Sequence, residues 1–253
     1  MTTATAQLWA RENRFYARTT FALCIFIVVG FSLFDVMAAI DVRRLPIATH
    51  LHALSMVSWI ALFALQTVLG SGRNIALHRK LGWTATGLVV AIVATSWLAG
   101  IGVAVERRSP PFFDPGYFLA LSLLQPAIFA TLVGCAIKFR KRTDWHRRLM
   151  LGSLVLIMEP LFGRLTVMGF VIAMGGPEPS VAFLSERQWL SPVIELNFQL
   201  GLMALLMFGD RRIGGRVHPA HWWSVAAIFA LYALTASIGL SAPFEHFAMS
   251  LSH

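Results

Sequence analysis

Seven apolar stretches recur along this 253-residue chain, at roughly 20–40, 51–71, 83–104, 116–137, 149–174, 191–208 and 222–241. Each runs to about 18–25 residues, enough to cross about 30 Å of hydrocarbon as a helix. The composition agrees, because 57% hydrophobic and 13% charged residues leave too little polar surface to cover a water-soluble globule. The sequence therefore predicts an all-α integral membrane bundle of seven transmembrane helices, a single transmembrane domain over residues 1–253.

The net charge of +9 would suggest a nucleic-acid partner in a soluble chain, but here its distribution carries the meaning. Arg11, Arg14 and Arg18 precede span one; Arg73, Arg79 and Lys80 join spans two and three. Lys138, Arg140, Lys141, Arg142, Arg147 and Arg148 join spans four and five; Arg211, Arg212 and Arg216 join six and seven. The opposite face holds Arg43, Arg44, Arg107, Arg108 and Arg187. The positive-inside rule then predicts a cytoplasmic N-terminus and an outside C-terminus, with membrane lipids rather than nucleic acid as the partner. Span one is too long for a signal-peptide core and lacks a convincing cleavage site, so it is expected to remain as an anchor. Cys24 and Cys135 both fall inside spans and imply no disulfide framework. No lysine lies in span seven, which excludes a retinal Schiff base.

Each loop on the basic face follows one plan: an apolar descent, a basic turn, then a histidine before the next ascent. The histidines are His78, His146, and His218 or His221 in "HPAHWW". "ALSM" at 53–56 and "ALSL" at 120–123 add a local match between the first two hairpins. The expected plan is one helix followed by three parallel hairpins. On the other face, "ERRSPPFFDPG" (106–116) and "GGPEPS" (175–180) are expected to be short turns. Ser191-Pro192 suits the start of span six. Trp83, Trp145, Trp222 and Trp223 at the basic edge and Trp189 at the other suit an aromatic belt.

An ionisable group in hydrocarbon costs at least about 2.5–3.5 kcal/mol, so it needs a partner, a cavity or a use. Asp35, Glu159, Arg164 and Glu195 fall in the middle or outer half of the spans, and His50 and His52 enter span two at the same level. Glu159 and Arg164 stand about 140° apart around a helix, so Arg164 is expected to seek a partner on another helix, with Glu195 or Asp35 at suitable depth. One reading is a buried ion pair of Arg164 with Glu195 that fixes packing. Another is a polar chamber in which His52, Glu159, Glu195 and Asp35 bind zinc or iron, or a lipid-like substrate. No HExxH, ExxH or HxxxH spacing accompanies these residues. His50 and His52 stand about 200° apart, so one of them at most faces the bundle. Other histidines on that side are His246 and His253.

At the basic face, His78 and His146 occupy equivalent positions at equal depth, and His221 can join them. Arg79 and Arg147 beside them suit a propionate, a quinone oxygen or a lipid phosphate. Histidine-arginine pairs there also suit headgroup phosphates alone.

The runs "HLHALSMVSWIALFALQTVL", "LHRKLGW" and "DWHRRLMLGSLVLIMEPLFGRL" resemble a family of bacterial multipass membrane proteins with no activity attached. The matching positions are His50, His52, Trp59, Gln66, His78, Arg79, Trp83, His146, Arg147, Pro160 and Arg164. The likeness covers roughly residues 45 to 165 and implies a bacterial inner membrane. Glu159 departs from that pattern, which has a small residue before the proline. The histidines at helix ends also give a looser similarity to cytochrome b561-type proteins, which implies heme b or a quinone.

Three functions follow as alternatives. The first is a redox protein whose cofactor-binding residues are His50, His52, His78, His146, Arg79, Arg147 and His221. The second is an intramembrane metal-dependent enzyme or lipid-like-substrate site in the outer half. The third is a small transporter or structural membrane subunit, with Pro126 and Pro160 as helix breaks.

Overall fold

The computed structural model describes residues 3–38, 41–72 and 74–251; Arg73 and His253 lie outside the described residues. The regular elements of the described residues are helices, with α1 (Thr3–Met37), α2 (Ile47–Ser71), α3 (Ile75–Val105), α4 (Pro115–Lys138) and α5 (Thr143–Leu156). There follow α6 (Glu159–Met174), α7 (Pro177–Ser185), α8 (Leu190–Gly214), α9 (Pro219–Gly239) and α10 (Ala242–Ser250). Among the described residues seven spans are long and apolar enough to cross a membrane, with α5 and α6 together forming the fifth, Thr143–Met174. The protein is a multipass membrane protein built as a seven-span helical bundle.

Local chemistry sets the helix ends. Asn74 caps α3 by accepting from Leu77 N, and Asp114 caps α4 by accepting from Tyr117 N. Gly175 and Gly215 end α6 and α8 with φ of 76°, a conformation that costs glycine least. Two stretches differ from expectation. Pro177 sits in the first turn of α7, so much of the expected 175–180 turn is the start of a short helix. Likewise α1 starts far earlier than its apolar run, because helix does not stop where hydrocarbon does.

The two halves of span five occupy the centre. α5 packs against α4, α8 and α9, while α6 packs against α1 and α8. Leu149, Leu151, Leu154, Val155, Leu156 and Met158 are all buried, as expected of a helix that is apolar all round. Outer helices leave large apolar side chains, such as Val36, Val90 and Leu205, exposed on the outside of the bundle, as a hydrocarbon surrounding requires. Small residues set the closest approaches: a Cβ on Gly239 of α9 would stand 2.6 Å from Tyr117 Cα of α4.

Pro126 leaves α4 continuous, but Pro160 follows a real break at Ile157–Met158. Proline has no N–H for the carbonyl four residues back, so Leu156 O loses its helical donor. Two glutamines from other helices supply replacements. Gln199 Nε2 donates to Val155 O at 3.0 Å and Leu156 O at 2.9 Å; Gln125 Nε2 donates to Leu156 O at 3.4 Å. Backbone freed at membrane depth is thus satisfied by neighbouring spans.

Candidate functional site

Three polar clusters stand out among the described residues. The first lies at the basic ends of α2 to α5. His78 Nδ1 lies 3.2 Å from Gln66 O, and His146 Nδ1 lies 2.8 Å from Ala136 O. A carbonyl oxygen only accepts, so each Nδ1 carries the proton and donates it. Both rings are therefore held in the tautomer whose Nε2 lone pair is free. The ring centres are 6.3 Å apart and nearly perpendicular. Gln66 completes the first lock by donating from Nε2 to His78 O at 3.1 Å. Arg79 is exposed, next to His78 in sequence. Arg147 is taken: it pairs with Glu12, donates to Asn13 Oδ1 at 3.2 Å and stacks on the Tyr16 ring.

The second cluster surrounds Asp210 at the end of α8. Arg148 Nε donates to both Asp210 oxygens at 3.1 and 3.0 Å, Tyr16 OH donates at 2.8 Å, and His218 N donates at 3.0 Å. His221 Nε2 stands 3.4 Å from Asp210 Oδ2 and is completely buried. His221 thus faces this carboxylate at the start of α9. His218 is the N-cap of α9: its Nδ1 accepts from Ala220 N at 3.1 Å, which leaves Nε2 to donate to Asp144 Oδ2 at 3.0 Å. Burial holds the His218 imidazole below its usual value, against the opposing pull of Asp144.

The third cluster lies at the break in span five. Glu159 and Glu195, 4% and 0% exposed, are electrostatic neighbours, and Gly163, one turn after Glu159 on α6, faces Glu195 Oε1. Gln125 Nε2 donates to Glu159 Oε2 at 3.1 Å, and Ser191 Oγ donates to Glu195 Oε1 at 2.6 Å. Tyr117 and Tyr232 lie within electrostatic reach of both carboxyls. Tyr232 OH, Thr235 Oγ1, Gln199 Oε1 and Glu195 Oε2 are buried with no protein hydrogen-bond partner.

The expected pair of Arg164 with Glu195 is not formed. Arg164 Nη1 donates to Pro160 O at 3.0 Å, and its guanidinium lies over the rings of Phe31 and Phe34 at 4.9 and 5.4 Å. Its electrostatic neighbours are Asp35, Glu159 and His52, while Glu195 turns to Ser191 and Glu159. A buried ion pair forms instead between Arg148 and Asp210. His50 is exposed in the first turn of α2. His52 points to α3, its Nδ1 3.2 Å from Ser96 Oγ.

Among the described residues, no group of three His, Cys, Asp or Glu side chains is arranged to hold a metal ion. The outer set of His52, Glu159, Glu195 and Asp35 is therefore no closed zinc or iron site. Cys24 and Cys135 are free thiols. The residues not singled out from sequence are Tyr16, Arg148 and Asp210, together with Gln125, Gln199 and Tyr232. Asp210 was visible as the single acid in "GDRR", and each glutamine as an amide within an apolar run. Searches against protein-family models, curated proteins and solved structures find no match for this chain.

Proposed function

We propose that the protein is a redox protein of the bacterial inner membrane that holds heme b between His78 and His146, near the basic face. The observation that carries this reading is the shared geometry of those two residues. Each is pinned through Nδ1 to a carbonyl of the preceding helix, and each keeps Nε2 free. A backbone carbonyl on the far nitrogen is the usual support of a metal-binding histidine, because it fixes both tautomer and ring plane. The two rings, with centres 6.3 Å apart, would hold the group through their Nε2 atoms.

Two protein ligands suit a metal that brings its remaining ligands in a macrocycle, and do not suit a closed zinc site. Arg79, exposed beside His78, is the cation for a propionate, since Arg147 is already engaged by Glu12. Heme supplies one-electron chemistry when bound, and a membrane quinone is the partner class for such a site. The chain's own part is to fix both imidazoles.

The test is an absorption spectrum of protein purified from heme-replete cells, oxidised and then reduced with dithionite. The expected result is a Soret band that sharpens and shifts on reduction, with about one heme per chain. A spectrum without a Soret band overturns the proposal.

A further inference from the structure

We propose that Glu159 and Glu195 hold one exchangeable proton between them, which makes the break in the fifth span a proton-loading site. The site is separate from the histidine pair and does not rest on the heme reading.

The argument starts from hydrogen-bond valence. Gln125 and Ser191 donate to one oxygen on each carboxyl, and both carboxyls are buried side by side. Two carboxylates can only accept, so a hydrogen bond between them needs a proton that one donates to the other. Two like charges buried side by side repel, so the pair that holds one proton is favoured over the pair that holds none, as in other paired carboxyls. Gly163 lets Glu195 approach α6 beside Glu159, because a Cβ there would press on Glu195 Oε1 at 3.1 Å.

The surroundings suit a pair that gains and loses a proton. Arg164, Tyr117 and Tyr232 are the charged and titratable groups around the pair, from α6, α4 and α9; Asp35 of α1 and His52 of α2 in turn face Arg164. Tyr232, 8% exposed, and Gln199, fully buried, leave polar atoms without a protein partner. They can donate to or accept from a water that carries the proton. On loading, a hydronium ion passes its proton to the carboxylate pair and departs as water. On unloading, the same proton returns to water, and only O–H bonds change.

Infrared spectroscopy of the full chain in liposomes tests this directly. At neutral pH the wild-type protein should show a protonated-carboxyl C=O band that moves to lower frequency in D2O. The band should disappear in the double variant Glu159→Gln, Glu195→Gln, which keeps the size of the protonated pair, and should survive in Asp35→Asn. A wild-type spectrum without a protonated-carboxyl band overturns the proposal and needs no variant. So does a band lost in Asp35→Asn, or one retained in the double variant.

Discussion

The guanidinium of Arg148 on α5 donates through Nε to both carboxylate oxygens of Asp210 on α8, at 3.1 and 3.0 Å. Tyr16 of α1 donates to the same carboxylate, so one acid ties three spans together near the basic face. Removing one member of a buried pair leaves a bare charge and costs about 3–5 kcal/mol. Thermal unfolding in detergent should show Arg148→Met and Asp210→Asn each strongly destabilised. The double variant should lose less than the sum. Strict additivity would mean that the two groups do not act as a pair.

The break at Ile157–Met158 gives a second cycle. Gln199→Leu strips one donor from each of two buried carbonyls, leaving Met158 N on Val155 O and the longer Gln125 bond on Leu156 O, and should cost about 1–3 kcal/mol. Pro160→Ala restores an N–H opposite Leu156 O, so the cost of Gln199→Leu should shrink in that background. Equal costs in both backgrounds would show that the glutamine does not compensate for the proline.

His218 links stability to pH. Burial lowers its folded-state value, so the neutral ring is favoured in the folded protein. The unfolded chain then takes up the proton first as pH falls. This contribution is complete above about pH 6.5, the ordinary histidine value, and is lost as pH drops through the lower folded value. Protonation also fills the Nδ1 lone pair that accepts from Ala220 N. His218→Asn keeps a capping acceptor and should flatten this part of the stability-pH profile, measured by unfolding across pH 5 to 8. An unchanged profile would contradict the assignment.

Helix packing can be tested at two glycines. Gly239→Ala places a methyl 2.6 Å from Tyr117 Cα and 3.0 Å from Gly116 O. It should destabilise by about 1–3 kcal/mol by forcing α4 and α9 apart. Gly134 meets nothing within 4 Å, so Gly134→Ala should stabilise the helix by about 0.5–1 kcal/mol. Opposite signs in the two melting curves are the expected result.

What could be read beforehand follows from what each signal encodes. Apolar run length placed the seven spans, and Ser191-Pro192 and Pro160 marked a start and a break. Depth along a span is also legible, which is why Arg164, Glu159 and Glu195 were placed together. Rotation about the helix axis is not legible, because it depends on how neighbouring helices pack. Arg164 therefore went to the wrong partner, and its guanidinium lies over Phe31 and Phe34 instead. The same limit hid Arg148, whose partner sits 62 residues away on another span. His78 and His146, expected at equal depth, lie with their ring centres 6.3 Å apart.

The most direct test of the heme site is low-temperature electron paramagnetic resonance of the oxidised, purified protein. The account predicts a low-spin ferric signal of two imidazole ligands, with His78→Ala and His146→Ala each abolishing it and either losing heme or turning it high-spin. A low-spin signal that survives both substitutions, or a wild-type protein with no ferric heme signal, would contradict it.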